Sequence, residues 1–482
     1  MIDLRPVGYV IGLLVSFLGL SMTIPMALDL AVGNGHAGVF VESAIITFLV
    51  GVFLAMSCAN SVQAGIGTRQ TFILTSGVWM VLPLFGALPF LRGATDASIT
   101  DAYFEAMSGL TTTGSTVFSG LENLPEGLLL WRSMLQWFGG IGIIVVAMVF
   151  LPELRVGGMQ IFRSEGFDTD GKVLPRAAEI ASRISIVYLG LTVACIFAYY
   201  MTGLGLFDAI NHALTTLSTG GFSTSDASFG QFQGAPEFVA TIFMILASLP
   251  FVRYVQLLAG TSQPLRSDSQ IRSFLALLVG IILVITFYRA LLGGDILGPA
   301  FREATFNLTS IITGTGYAST DYQLWGTFPV TIFFLIGLIG GCAGSTCCSV
   351  KVFRYQLLVG AVANQIRRIH SPHGVYQLKY EGRRVSEDVI SSVMAFLTLF
   401  VVTLGVVAVL LSATGLDFVT SLSGAAAAVA NIGPGLGPII GPSGNFGTLN
   451  DAAKWILAFA MLAGRLELMV VFVLFTTRFW RT

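Results

Sequence analysis

Thr313-Gly314-Thr315-Gly316-Tyr317 closes a short apolar segment, and thirteen residues before Gly316 stands an acid followed by alanine, Glu303-Ala304. The same offset recurs twice. Asp208-Ala209 stands thirteen residues before Gly221 in Thr219-Gly220-Gly221-Phe222, and Asp101-Ala102 thirteen before Gly114 in Thr111-Thr112-Thr113-Gly114-Ser115. Six residues before the three glycines come Ser108, Thr215 and Ser310. Three acid–alanine pairs at one offset from three glycines read as an internal repeat. Ala430-Asn431-Ile432-Gly433-Pro434-Gly435 is a fourth, divergent copy, with Asp417 opening its apolar segment a turn earlier than the offset predicts.

Each copy reads acid, about twelve mostly apolar residues, then a glycine loop. Twelve residues rise only ~18 Å as a helix, too short for a hydrocarbon core of ~30 Å, so these are half-helices. The acid belongs in the first turn, where the helix dipole favours negative charge, and the partially negative C-terminus points at the loop. Thr-Gly-Tyr itself resembles part of a potassium-selective pore loop, whose backbone carbonyls replace the water around a dehydrated cation. Irregular backbone survives at membrane depth only beside protein or a water-filled path. Four such loops around one axis meet that demand together.

Composition excludes a soluble protein: 54% of residues are hydrophobic and 11% charged, with mean hydropathy +0.82. The 55 glycines fit close helix contacts in a polytopic bundle. Five cysteines, mostly inside apolar runs, argue against a disulfide framework. The first apolar run lacks a small-residue cleavage pattern and reads as a retained helix. Ten full spans are expected, at about 7–28, 43–58, 71–91, 128–151, 184–204, 238–258, 274–292, 328–350, 389–411 and 455–475. The fold class is thus an all-α polytopic membrane protein, with an N-terminal hairpin (1–68) and four pseudo-symmetric helix–pore-loop–helix units at 69–182, 183–268, 269–386 and 387–482.

Cations assign the sides. Arg5, Arg69, Arg155, Arg163, Lys172, Arg176, Arg183, Arg266, Arg272, Lys351, Arg354, Arg367, Arg368, Lys379, Arg383, Arg384, Arg478 and Arg481 fall on one face, read as cytoplasmic with both termini. The other face carries Arg92, Arg132, Arg289, Arg302 and Lys454 among many acids. An acidic outer mouth would concentrate cations; equally, acids sit outside because basic residues are held inside.

The four loops, with Trp137-Phe138-Gly139-Gly140-Ile141-Gly142 in the helix after the first, resemble the TrkH/TrkG/KtrB superfamily of potassium uptake proteins over nearly the whole chain. The extra hairpin is similar to the TrkH branch. The resemblance implies an inner-membrane homodimer with one pore per protomer, potassium as the ion carried, and a cytoplasmic nucleotide-binding regulatory ring of the TrkA type. By position, the filter carbonyls come from Thr112, Thr113 and Gly114; Thr219, Gly220 and Gly221; Gly314, Thr315 and Gly316; and Asn431, Ile432 and Gly433, with Thr111 beside the first loop. Sodium-selective members of the family replace one filter glycine with serine. Rubidium and caesium are expected to pass with potassium, and the fourth loop departs most from the pattern.

Two features suggest a gate. From Gly340 the run 335–349 turns almost entirely to small residues, including Gly341, Ala343, Gly344 and Ser345. Such a stretch favours a break in the helix, read as an intramembrane loop below the filter rather than small-residue packing. Its three cysteines lack the histidine or carboxylate of a metal site. Arg465, mid-span, is costly in lipid and functional by default: a barrier to cations in the pore, a structural partner of Glu467 or another acid, or a side chain snorkelling to the cytoplasmic surface. Arg253 beside Pro250 reads as a kink residue. The segments 152–183 and 351–388, with Phe162, Phe167, Tyr376 and Tyr380, are docking candidates for the regulatory ring or solvated loops. No nucleophile–base cluster points to an enzyme, and nothing points to a nucleic-acid partner. The remaining alternative is a secondary carrier coupling potassium to protons or sodium. It needs a titratable midplane residue, for which His212 is the candidate.

Overall fold

In lipid every backbone polar group needs a partner inside the chain, which leaves helices as the economical way across. The computed structural model follows that rule. It describes residues 2–60, 66–150, 154, 156–162 and 173–481. Among these the only strands are a two-residue pair, Lys379–Tyr380 against Arg383–Arg384. Arg155, Arg163, Phe167 and Lys172 lie outside the described residues, as do the side chains of Phe162 and Arg176.

The N-terminal hairpin is α1 (Arg5–Ser21) continued by α2 (Thr23–Val32), returning as α3 (Ala37–Cys58). Gly12 and Gly51 face the opposite backbone so closely that a Cβ on either would overlap it, and small residues of this kind let membrane helices approach. Four groups follow, each a long helix, a short helix, a glycine loop and a second helix. The first is α4 (Thr68–Gly86), α5 (Ile99–Leu110) and α6 (Glu126–Val145). The second is α7 (Val173–Met201), α8 (Leu206–Leu217), α9 (Ala235–Ala247) and α10 (Phe251–Leu258). The third is α11 (Ser269–Leu292), α12 (Leu297–Ile312), α13 (Thr327–Gly337) and α14 (Val352–His370). The last is α15 (Glu387–Ala413), α16 (Phe418–Ala430), α17 (Asp451–Arg465) and α18 (Met469–Val473).

The expectation of ten full spans is corrected. Among the described residues seven helices have the length and apolarity to cross, and the pair α9–α10, bent by 88°, makes up to eight if counted as one broken span. Pro250 caps α10 at that bend, where its missing N–H and its ring cannot continue a helix. The expected spans 328–350 and 455–475 are broken as well. α13 stops at Gly337 and regular helix resumes only at Val352. α17 stops at Arg465, and Glu467 and Leu468 take φ of 64° and 39° before α18 begins. In the first group α6 loosens into a π-helical turn at Val146–Phe150. The second helix of every group is therefore interrupted beyond its midpoint.

Several charges placed on the surface by sequence are inside. Lys351 and Arg354 are 4% and 0% exposed. They share Glu467, with Lys351 Nζ at 3.2 Å and Arg354 in direct contact. The five cations of the other face pair with acids: Arg92 with Glu42, Arg132 with Glu105, Arg289 with Asp295 and Glu303, Arg302 with Glu237, and Lys454 with Asp101.

Candidate functional site

The site begins at the C-termini of α5, α8, α12 and α16, helices of 12, 12, 16 and 13 residues. Asp101 and Asp208 lie in first turns, and Asp417 is an N-cap whose carboxylate accepts the Thr420 N–H at 3.1 Å. Glu303 departs from expectation: α12 starts at Leu297, so the acid falls in the second turn, where Arg289 meets it at 2.9 Å.

The four loops then repeat one backbone. Two residues before the glycine, Thr112, Thr219, Gly314 and Asn431 have φ of 51°, 50°, 75° and 53°; Gly114, Gly221, Gly316 and Gly433 have φ of 87°, 79°, 83° and 101°. The residue between them is not left-handed, and this alternation turns successive carbonyls toward one side. Its N–H is satisfied identically each time. Thr113 donates to the Ser108 carbonyl at 2.9 Å, Gly220 to Thr215 at 2.8 Å, Thr315 to Ser310 at 2.9 Å and Ile432 to Ala427 at 3.0 Å. The acceptors in the first three loops are the hydroxyl residues that the sequence repeat marks six positions before the glycine.

The loops meet head to tail. A Cβ built on Gly114 would overlap the Gly220 carbonyl oxygen, one on Gly221 that of Thr315, and one on Gly316 that of Ile432; one on Gly433 would lie 2.8 Å from that of Thr113. The circuit closes on itself, with the same pair of positions at every joint. Thr111 flanks it, its hydroxyl 2.7 Å from that of Thr113. Asn431 Nδ2 joins the fourth loop to the first at 2.9 Å from Thr113 Oγ1. Tyr317, fully buried, contacts the Thr215 hydroxyl and stacks among Phe229 and Phe306, so the third loop is braced on α8. All four ring glycines line one face of a cavity of about 480 Å³. Arg132 guards its wall, donating to Glu105 at 2.8 Å and to the Ser223 carbonyl at 2.9 Å.

On the other side of the ring lies the small-residue stretch, irregular between α13 and α14 as its composition predicts. Gly340 and Gly344 have φ of 78° and 75°. Gly341 lies against Cys347, and Ser345 Oγ donates to the Cys342 carbonyl at 2.7 Å. The stretch touches each of the other interruptions. Gly344 approaches Met148 of the π-helical turn, with a Cβ there 2.7 Å from the sulfur. The amides of Cys342 and Ala343 reach the Ser248 carbonyl at 3.1 Å and Gln270 Oε1 at 2.9 Å. Arg465 donates to the Thr346 carbonyl at 3.3 Å, to the Gly139 carbonyl at 3.1 Å, and contacts Cys348 Sγ. Cys348 Sγ in turn lies 4.0 Å from Thr112 Oγ1 in the ring. The pairing of Arg465 with Glu467 is corrected: Glu467 is held by Lys351 and Arg354, and Arg465 bonds carbonyls and a sulfur.

Sequence reasoning placed Lys351 and Arg354 on the inner surface and missed their shared carboxylate. The contact joins residues 113 apart in the sequence, with no spacing pattern to mark it. The one available signal was Glu467 itself, a second charge beside Arg465 in the expected span 455–475. His212, the candidate proton carrier, is fully buried directly behind the cavity wall: its Nδ1 meets the Asp208 carbonyl, its Nε2 meets Oγ of the cavity-lining Ser223 at 3.0 Å, and Phe229 and Phe232 enclose the ring.

Comparison with known proteins agrees along the whole chain. The sequence profile of the TrkH family, described as cation transport protein, matches residues 36–481. The Trk system potassium uptake protein TrkI of Halomonas elongata is 41% identical over 481 residues, spanning 99% of this chain and 97% of that protein. The potassium uptake protein TrkH of Escherichia coli K12 is 36% identical over 486 residues, 99% of each. The crystal structure of the potassium transporter TrkH from Vibrio parahaemolyticus superposes with a TM-score of 0.92 at 34% identity, covering 100% of both chains. With its multi-pass helical fold, its closed circuit of glycine loops and these likenesses, the chain belongs to the TrkH family of cation transport proteins.

Proposed function

We propose that the chain carries potassium inward across the bacterial inner membrane through a gated, channel-like pore. In this reading the ring of carbonyls around Gly114, Gly221, Gly316 and Gly433 is the selectivity filter. The observation that carries it is the head-to-tail circuit: four backbones of one conformation bring equivalent carbonyls to equivalent neighbours, the arrangement that replaces a cation's water. Potassium is the cargo, favoured over sodium, with rubidium and caesium admitted. The chain divides at the four-unit boundaries read from the repeat, both termini are cytoplasmic, and two copies pair in the membrane. A nucleotide-binding ring of the TrkA type docks on the cytoplasmic loops.

The stretch 338–351 and Arg465 form the gate and barrier of this pore. The stretch is tied to its neighbours by hydrogen bonds to Ser248, Ala247 and Gln270, and the guanidinium sits between it and α6, one sulfur from the filter. Roughly 2.3 kcal/mol per 100 mV of membrane potential drives each charge inward, so uptake needs no second ion. The secondary carrier finds less support, since His212 does not itself line the cavity: aromatic rings enclose it and it reaches the wall only through Ser223. Purified protein in liposomes tests the choice. Potassium flux is expected to follow its own electrochemical gradient and to ignore an imposed proton or sodium gradient at fixed voltage; accumulation driven by either gradient would establish the carrier.

A further inference from the structure

At one position the second loop has no side chain where each of the other three has one. Immediately before the ring glycine, the first, third and fourth loops carry Thr113, Thr315 and Ile432, and the second carries Gly220. The two threonines tie down their own loops, with hydroxyl pairs of 2.7 Å to Thr111 and 2.8 Å to Thr313. Ile432 packs its side chain on Gly337. Gly220 has no side chain to do either, and glycine is the residue most free to rotate.

The missing side chain is supplied from α6. Gln136 is fully buried, and a Cβ on Gly220 would fall on its amide group. Gln136 Nε2 donates to the Gly220 carbonyl at 2.6 Å, and its Oε1 accepts the Phe222 N–H at 3.0 Å. One side-chain amide thus grips the backbone on both sides of Gly221. Among the described residues no side chain donates to the equivalent carbonyls of Thr113, Thr315 or Ile432. The pairing is reciprocal: the loop needs glycine because Gln136 occupies the space, and needs Gln136 because glycine leaves the peptide loose.

We propose that Gln136 is a specificity-determining positioning residue of the pore, holding the Gly220 carbonyl at the radius the other loops set with their own side chains. The inference rests on the ring being the filter. Discrimination between cations depends on the size of the carbonyl cage and on how many carbonyls act in it. An untethered Gly220 carbonyl closes on a smaller ion, so loss of Gln136 favours sodium relative to potassium.

The test compares Q136M with wild type in liposomes, measuring potassium and sodium fluxes on the same preparation together with the thermal unfolding midpoint, and runs Gly316→Ser alongside. The expected result is a potassium-over-sodium ratio lowered about fivefold, the scale of one lost hydrogen bond. A merely structural glutamine lowers the midpoint and the amount of folded protein but not this ratio. Q136L gives the same reading should the methionine variant fail to fold. A ratio unchanged by Q136M while Gly316→Ser lowers it overturns the role of Gln136 and leaves the filter in place. Ratios unchanged in both variants overturn the filter, and this inference with it.

Discussion

A serine at Gly316 meets two obstacles. Its φ of 83° is a conformation that side-chain-bearing residues enter at a cost of about 1–3 kcal/mol. Its Cβ would also press on the Ile432 carbonyl and lie 2.9 Å from Pro434 Cδ. Relief comes only by moving a carbonyl of the ring, so Gly316→Ser is expected to lower the potassium-over-sodium flux ratio about tenfold in liposomes. An unaltered ratio in folded protein would contradict the filter assignment. The glycine was legible in sequence because its repeat partners are in the same chain and share one offset. Gln136 was not. A lone glutamine in an apolar helix has no spacing signal, and its partner is 84 residues away.

The interrupted elements beside the ring contact one another. The stretch 338–351 packs Leu338, Ile339, Cys342, Ala343 and Val350 on the core, is tied at its middle to the carbonyls of Ala247 and Ser248, and ends at Lys351, which shares Glu467 with Arg354. Arg465 crosses between it and α6. At an effective dielectric near 20, a unit charge within about 4–8 Å of an ion's path raises a cation's energy by about 2–4 kcal/mol. Arg465→Ala is therefore expected to raise rubidium uptake about tenfold or more; a loss of folded protein with no gain in uptake would make the arginine structural. Glu467→Gln acts at the Lys351 end. Breaking a buried ion pair by removing one partner costs about 3–5 kcal/mol, here leaving two cations beside one neutral amide. A clear drop in unfolding midpoint and higher basal uptake are expected, and an unchanged midpoint would show that the triad carries no load. The break in α13–α14 was readable from composition, and the bend at Pro250 from a single residue. The break after Arg465 was not, because the turn is stabilised by Lys351 and Arg354, which belong to another group of helices.

Across the whole molecule, four unequal copies of one backbone close a circuit that no copy could close alone. What the sequence makes legible is the copying: offsets, short helices and loop glycines. The inequality is set by contacts between copies, and only three-dimensional neighbours reveal it. Three joints bring the glycine and the next carbonyl so close that any Cβ overlaps the oxygen, whereas the joint at Gly433 leaves 2.8 Å and a neighbour, Thr113, whose own side chain is tied to Asn431. Alanine placed in turn at Gly114, Gly221, Gly316 and Gly433 is therefore expected to act unequally. The ratio of potassium to sodium flux should fall least in Gly433→Ala and by several-fold more at the other three, since there the facing carbonyl must retreat furthest. Four equal losses would mean that the ring behaves as a symmetric cage. A graded series would show instead that the divergent fourth copy is the compliant wall, against which the other three loops set the width of the path.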